Sequence, residues 1–274
     1  MVLVALMFRY ILLLFFVLFF NISCGLPDIT GVYQEMNQPI ITKVVPGNNQ
    51  LTVYFSAQNN EPAFSGYNIY FGDNLNRRKY TLYNQQKNRP TMIEQKSQVV
   101  KEYSYTIKVG EYYSTNANDI ITLTSTDLQN GVPLYVFVSS YQITPSAESS
   151  YYDDFAIMAT PRPEELGRTI VAGSTITGVV NIIQLINENG KLLFRNVSGG
   201  GIIRVAGKSL DDVIIPPEEG YSTSDVDVVE DRLYLIKNTS GSDSYYSKIL
   251  VKSISESSIV VDYAYQISAN ILSY

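Results

Sequence analysis

Two textures divide this chain by their hydrophobic and polar patterning. Ile11 to Phe20 is an unbroken apolar run, headed by Arg9 and followed by Asn21, Ile22, Ser23 and Cys24. Counted from Tyr10 it can enter a bilayer as a helix, but it falls short of the about 20 residues needed to span one. A basic head, a short apolar core and small polar residues at the exit are the layout of an export signal. Gly25 to Gln38 is polar, carries Pro27 and Gly31 and shows no sustained period, so it reads as an extended tether.

From Pro39 the pattern changes to short β-branched and aromatic runs separated by turn residues, which predicts an all-β sandwich. Strands are expected at Ile40 to Val45, Leu51 to Ser56, Gly66 to Phe71, Tyr103 to Val109, Asp119 to Thr124, Leu134 to Ser140 and Phe155 to Thr160. Alternation points Leu51, Val53 and Phe55 inward, and puts Tyr67, Ile69 and Phe71 on one face with Asn68 and Tyr70 on the other. The polar, basic stretch Gly72 to Ser97 reads as a long excursion. Pro161, Arg162 and Pro163 close the domain, since proline cannot donate to a ladder.

Beyond Glu164 the expected strands are Arg168 to Val171, Leu192 to Val197, Ile202 to Ala206, Val226 to Val229, Leu233 to Lys237, Ser247 to Ser253 and Ile259 to Gln266. Val179 to Ile186 has the length of a helix, yet its β-branched residues and the Asn187 to Gly190 turn favour a hairpin strand. The resulting division is 1–23 signal, 24–38 tether, 39–163 first β domain and 164–274 second, β-rich domain.

Two resemblances add to this reading. Ile22, Ser23 and Cys24, just after the apolar run, resemble the end of a bacterial lipoprotein signal. Asn21, where leucine is usual, is similar to the looser spirochaete-like version. That resemblance implies cleavage before Cys24, a lipid on its thiol and a place in the cell outer membrane, surface-exposed or facing the periplasm. A plain secretory signal and an uncleaved anchor over Met1 to Phe20 are the alternatives. Residues 39 to 161 resemble a fibronectin type III domain through Pro46-Gly47 followed by LTVYFSA, Phe64 to Tyr70, Leu128 to Leu134 and Ala159 to Pro163. The tryptophan usual on that family's second strand is absent, and Leu134 stands where its corner tyrosine would be.

Composition narrows the chemistry. Twenty basic against 26 acidic residues give net charge −6, a surface that phosphate backbones repel, so nucleic-acid binding is not expected. The absence of histidine removes the commonest general base and transition-metal ligand, and the single cysteine is assigned to the lipid. No cofactor and no enzymatic activity are expected. Ala206-Gly207-Lys208-Ser209 ends like a phosphate loop but lacks the required preceding glycine and is followed by Pro216-Pro217, so it reads as a turn. The acidic stretch Asp211 to Asp231 offers a weak calcium site at Asp225, Asp227, Glu230 and Asp231, against the alternative of a solvated strand edge.

Tyrosine, with 22 residues, is the more promising surface. Arg77, Arg78, Tyr80 and Tyr83 form a candidate partner contact, with Tyr112-Tyr113 and Tyr151-Tyr152 as further clusters near turns. The expected function is therefore a lipid-anchored, non-catalytic binding or adhesion module of the cell envelope. Its partner would be another protein or a host-matrix component. Capture of a small ligand or calcium, and a purely structural spacer, are the alternatives.

Overall fold

A computed structural model describes residues 35–73, 80–82, 90–114, 120–144, 146–149, 156–180 and 182–271. The apolar run and Cys24 therefore lie outside the described residues, as do Arg77, Arg78, Tyr83, Tyr151 and Tyr152. Residues from Met36 onward form one compact body. Among the described residues it is all β, a β-sandwich followed by a second β-rich domain.

The first half comprises β1 (Ile40–Gly47), β2 (Gln50–Ala57), β3 (Phe64–Gly72), β4 (Tyr80–Leu82), β5 (Met92–Ile93), β6 (Lys101–Lys108), β7 (Tyr112–Ser114), β8 (Ile120–Thr122), β9 (Leu134–Gln142), β10 (Ala147–Glu148) and β11 (Ile157–Ala159). One sheet is ordered β1-β2-β6. The other runs β10-β9-β3-β4-β7-β8, with β11 also on β9 and β5 on β3. The alternation in β2 works as its sequence demands: Leu51, Val53 and Phe55 are fully buried while the residues between them are half-buried. They meet Tyr67, Ile69, Phe71, Leu134, Val136 and Val138 from the facing sheet in one core. Phe55 touches Tyr67 edge-on at 5.0 Å and stacks on Tyr103 at 5.2 Å.

Asn68 and Tyr70 lie on the face opposite Tyr67, Ile69 and Phe71; both are buried there, and both donate to the Glu148 carboxylate of β10, which covers that face. One expectation needs correction: the tether ends earlier than its composition implies. Met36 is buried, and Asn37 is clamped by its own N–H to Glu61 at 2.5 Å and by the Asn59 side chain on its carbonyl at 2.9 Å. The polar composition of this segment feeds specific hydrogen bonds there rather than solvent.

The second half comprises β12 (Glu164–Val171), β13 (Thr175–Thr177), β14 (Ile182–Glu188), β15 (Lys191–Asn196), β16 (Gly201–Ala206), β17 (Val226–Asp227), β18 (Arg232–Ser240), β19 (Asp243–Ile254) and β20 (Ser258–Tyr265). Its sheets are ordered β12-β20-β19-β18-β16 and β13-β14-β15-β17 and enclose a second core around Phe194, Tyr234, Ile249 and Val261. The β14–β15 hairpin turns on Asn189 and Gly190 with φ of 53° and 82°, the two left-handed residues a tight hairpin requires. That turn decides the strand over the helix for the IIQLI run.

The segment after β16 lies over the outer face of the larger sheet. Leu210, Val213 and Tyr221 pack on Leu233, Leu235, Leu250 and Ala264 as a third, smaller core. Leu233 to Ile236 is thus buried on both faces, which is why it is continuously apolar instead of alternating.

Candidate functional site

The segment Pro161-Arg162-Pro163 connects the two halves and is hydrogen-bonded to both. Arg162 donates its backbone N–H to Gly47 at 3.0 Å, Gly131 donates to Pro161 at 2.8 Å, and Tyr265 donates to Pro163 at 3.3 Å. The Arg162 guanidinium is only 1% exposed and donates to Glu164 at 2.8 Å and Asp211 at 2.9 Å. Lys248 is fully buried beside this group, and its ammonium donates to the Val213 carbonyl. Burial holds the Lys248 pKa well below its ordinary value, with Arg162 pushing the same way. Burial raises that of Glu164 although Arg162 opposes it. Arg162 and Lys248 are buried and Glu164 largely so, while Asp211 reaches solvent, an arrangement that fixes geometry more than it presents chemistry to a ligand.

The acidic stretch does not converge on a cation. The Asp225 carboxylate accepts from both Nε and Nη2 of the Arg195 guanidinium, which holds its pKa below the ordinary value, and Asp227 pairs with Lys191 at 2.8 Å. Asp231 occupies a turn with φ of 56°. Among the described residues no three acidic, histidine or cysteine side chains are placed to share a metal, so the four carboxylates named above are not brought together as a calcium site. The Gly207-Lys208-Ser209 segment is a turn whose amides are taken by protein: Asp212 accepts from the N–H of Lys208 at 2.6 Å and of Ser209 at 3.2 Å.

What the fold does assemble is the far edge of the larger first sheet. Strand β4, which contains Tyr80, pairs β3 through Phe71↔Tyr80 and pairs β7 through Thr81↔Ser114 and Leu82↔Tyr113. Strand β7 in turn pairs β8 through Tyr112↔Thr122, Tyr113↔Ile121 and Ser114↔Ile120. Two tyrosine-bearing stretches separated by some thirty residues are thereby neighbours on one ribbon, although Arg77, Arg78 and Tyr83 lie outside the described residues. Tyr113 is buried with its hydroxyl on Asp127 at 3.2 Å, whereas Tyr112, Ile120 and Ile121 are exposed. Among the described residues β8 has a partner on one side only, so its other main-chain edge is open; the register puts Tyr112 and Ile120 on one face of the ribbon and Ile121 on the other, the face of Tyr113. The sequence places Tyr112 near a turn and a strand over Asp119 to Thr124, which contains β8; the three-residue strand β7 is too short to show a period, and nothing local shows that it pairs with β8.

No family model matches this chain, and no curated protein matches it. Among solved structures, a DUF4466 family protein from Parabacteroides merdae ATCC 43184 is similar over 85% of this chain and 98% of its own, at 8% identity and a TM-score of 0.35.

Proposed function

We propose that this protein is a lipid-anchored envelope lipoprotein whose first domain is a fibronectin type III-like module and whose work is non-catalytic binding of another protein or a matrix component. The observation that carries the binding reading is the β4–β7–β8 edge, where an open strand bears the exposed Tyr112 and Ile120 on one face and the exposed Ile121 on the other. An open edge with apolar side chains is what strand addition uses, the main chain supplying affinity and the side chains selectivity. The strand orders β1-β2-β6 and β11-β9-β3-β4 support the fibronectin type III likeness, since that module pairs its first, second and fifth strands in one sheet and the rest in the other. The anchoring reading rests on the apolar run and Cys24.

The test uses the full chain carried on vesicles and scored for retention on surfaces coated with envelope proteins and with matrix proteins. The doubly substituted Ile120→Lys, Ile121→Lys chain keeps its fold, because both positions are exposed, and loses the retention seen with the parent. Retention equal for parent and variant would refute the edge as the contact. No retention of the parent on any surface would refute the binding role.

A further inference from the structure

The end of the first sandwich opposite the linker carries an apolar surface of its own. Gly47 closes β1 at the linker, so Ile40, seven residues earlier, lies about 23 Å away at the other end. There Ile40 is 60% exposed, Val99 64% and Val100 61%. Ile40 and Val100 share the wall of an open groove of about 390 Å³ that Asn37 and Ala57 complete. The valines are not on a loose loop. Ser97 donates its N–H to Asn59 at 2.6 Å and its hydroxyl to Val99 at 2.9 Å, and the Gln58 side chain holds Gln98 at 2.6 Å. A rigid loop that presents two adjacent β-branched side chains to water keeps an unfavourable exposure that a contact would relieve.

The chain enters the described body at this same end. Met36 and Asn37 are anchored in it, and only the eleven residues Gly25 to Glu35 separate Met36 from Cys24. Fully extended, that connection reaches about 40 Å. Lys96 and Lys101 flank the valines, and Glu94, Glu102 and Glu61, whose carboxylate holds Asn37, stand at the same end, so no excess of cations there favours anionic over zwitterionic lipid. We infer that Ile40, Val99 and Val100 form a membrane-facing foot that rests on the bilayer surface and holds the second domain away from it. This rests on the anchoring reading above and adds to it an orientation and a contact.

The absence of tryptophan from the chain makes the test direct, because one introduced tryptophan is the only such reporter. The full chain carrying Val100→Trp, and separately Val99→Trp, is placed in phosphatidylcholine vesicles with and without brominated acyl chains. Val171→Trp, exposed at the far end of β12, serves as control. The expected result is a blue-shifted emission that brominated lipid quenches for positions 99 and 100, with no change at 171. Quenching at none of the three in protein that floats with the vesicles would overturn the foot while leaving the anchor. Equal quenching at all three would overturn it as well, since the molecule would then lie flat. Protein that fails to float would remove the anchor and the foot together.

Discussion

Gly131 offers a measure of how firmly the two halves dock. It has φ of 82°, and a Cβ built on it would come within 2.3 Å of Ile267 Cγ1 and 2.9 Å of the Ser268 hydroxyl, which itself donates to the Gly131 carbonyl at 3.0 Å. Gly131→Ala therefore carries two costs: about 1–2 kcal/mol for a side chain in the left-handed region, and about 1–3 kcal/mol for overpacking the contact. Both are partly offset by the about 0.4–1 kcal/mol that alanine withdraws from the unfolded chain's freedom. Gly110→Ala isolates the first cost, because Gly110 has φ of 92° and nothing within 4 Å of its Cβ position. The conformational terms cancel between the two variants, leaving the contact alone. Gly131→Ala should be the less stable by about 1–3 kcal/mol, a melting point lower by about 2–12 °C for a body of this size. Urea unfolding of both variants in one buffer reads the difference. Equality within about half a kcal/mol would mean that the halves do not press together at Gly131, and the docked arrangement would have to be abandoned.

Three further outcomes follow from particular groups. Lys248 has a folded pKa depressed below its ordinary 10.5, so its contribution is fully present above pH 10.5 and is lost as pH falls toward the folded value. Lys248→Met, measured by urea unfolding across pH, should gain on the parent as pH falls from 10.5 toward neutral, and a flat difference would contradict the burial argument. Tyr234 donates to the Asp227 carbonyl and accepts from the Val229 N–H, both at 2.7 Å, so Tyr234→Phe strands a donor and should cost about 1–3 kcal/mol; a loss under half a kcal/mol would show the hydroxyl idle. Leu51→Ala empties a fully buried position between the first two sheets and should cost about 2–5 kcal/mol in the same assay, with no change in flotation with membranes.

Much of the strand architecture was legible because its signals are local. Leu51-Val53-Phe55 announces a half-buried strand, and Asn189-Gly190 a hairpin, from the residues themselves. Failures occurred where distant chain supplied the environment. Nothing near Asn68 and Tyr70 in sequence shows that Glu148, some eighty residues on, closes over them. Asp225 and Asp227 read as free carboxylates until β15 brings Arg195 and Lys191 opposite. Arg162 read as a domain terminator, and nothing near it in sequence shows that its guanidinium is buried against Asp211.

By itself the sequence determined the all-β class, the order and approximate span of most strands and the absence of histidine chemistry, since each depends on composition or on period-two alternation within a few residues. Only the tertiary structure decided which edge stays open, which charges are buried at the linker and which apolar side chains are left outside. Those are properties of pairing between strands far apart in the chain. Whether Ile121 or Val100 becomes core or surface depends on what packs over it, a choice that its own neighbours in sequence do not encode.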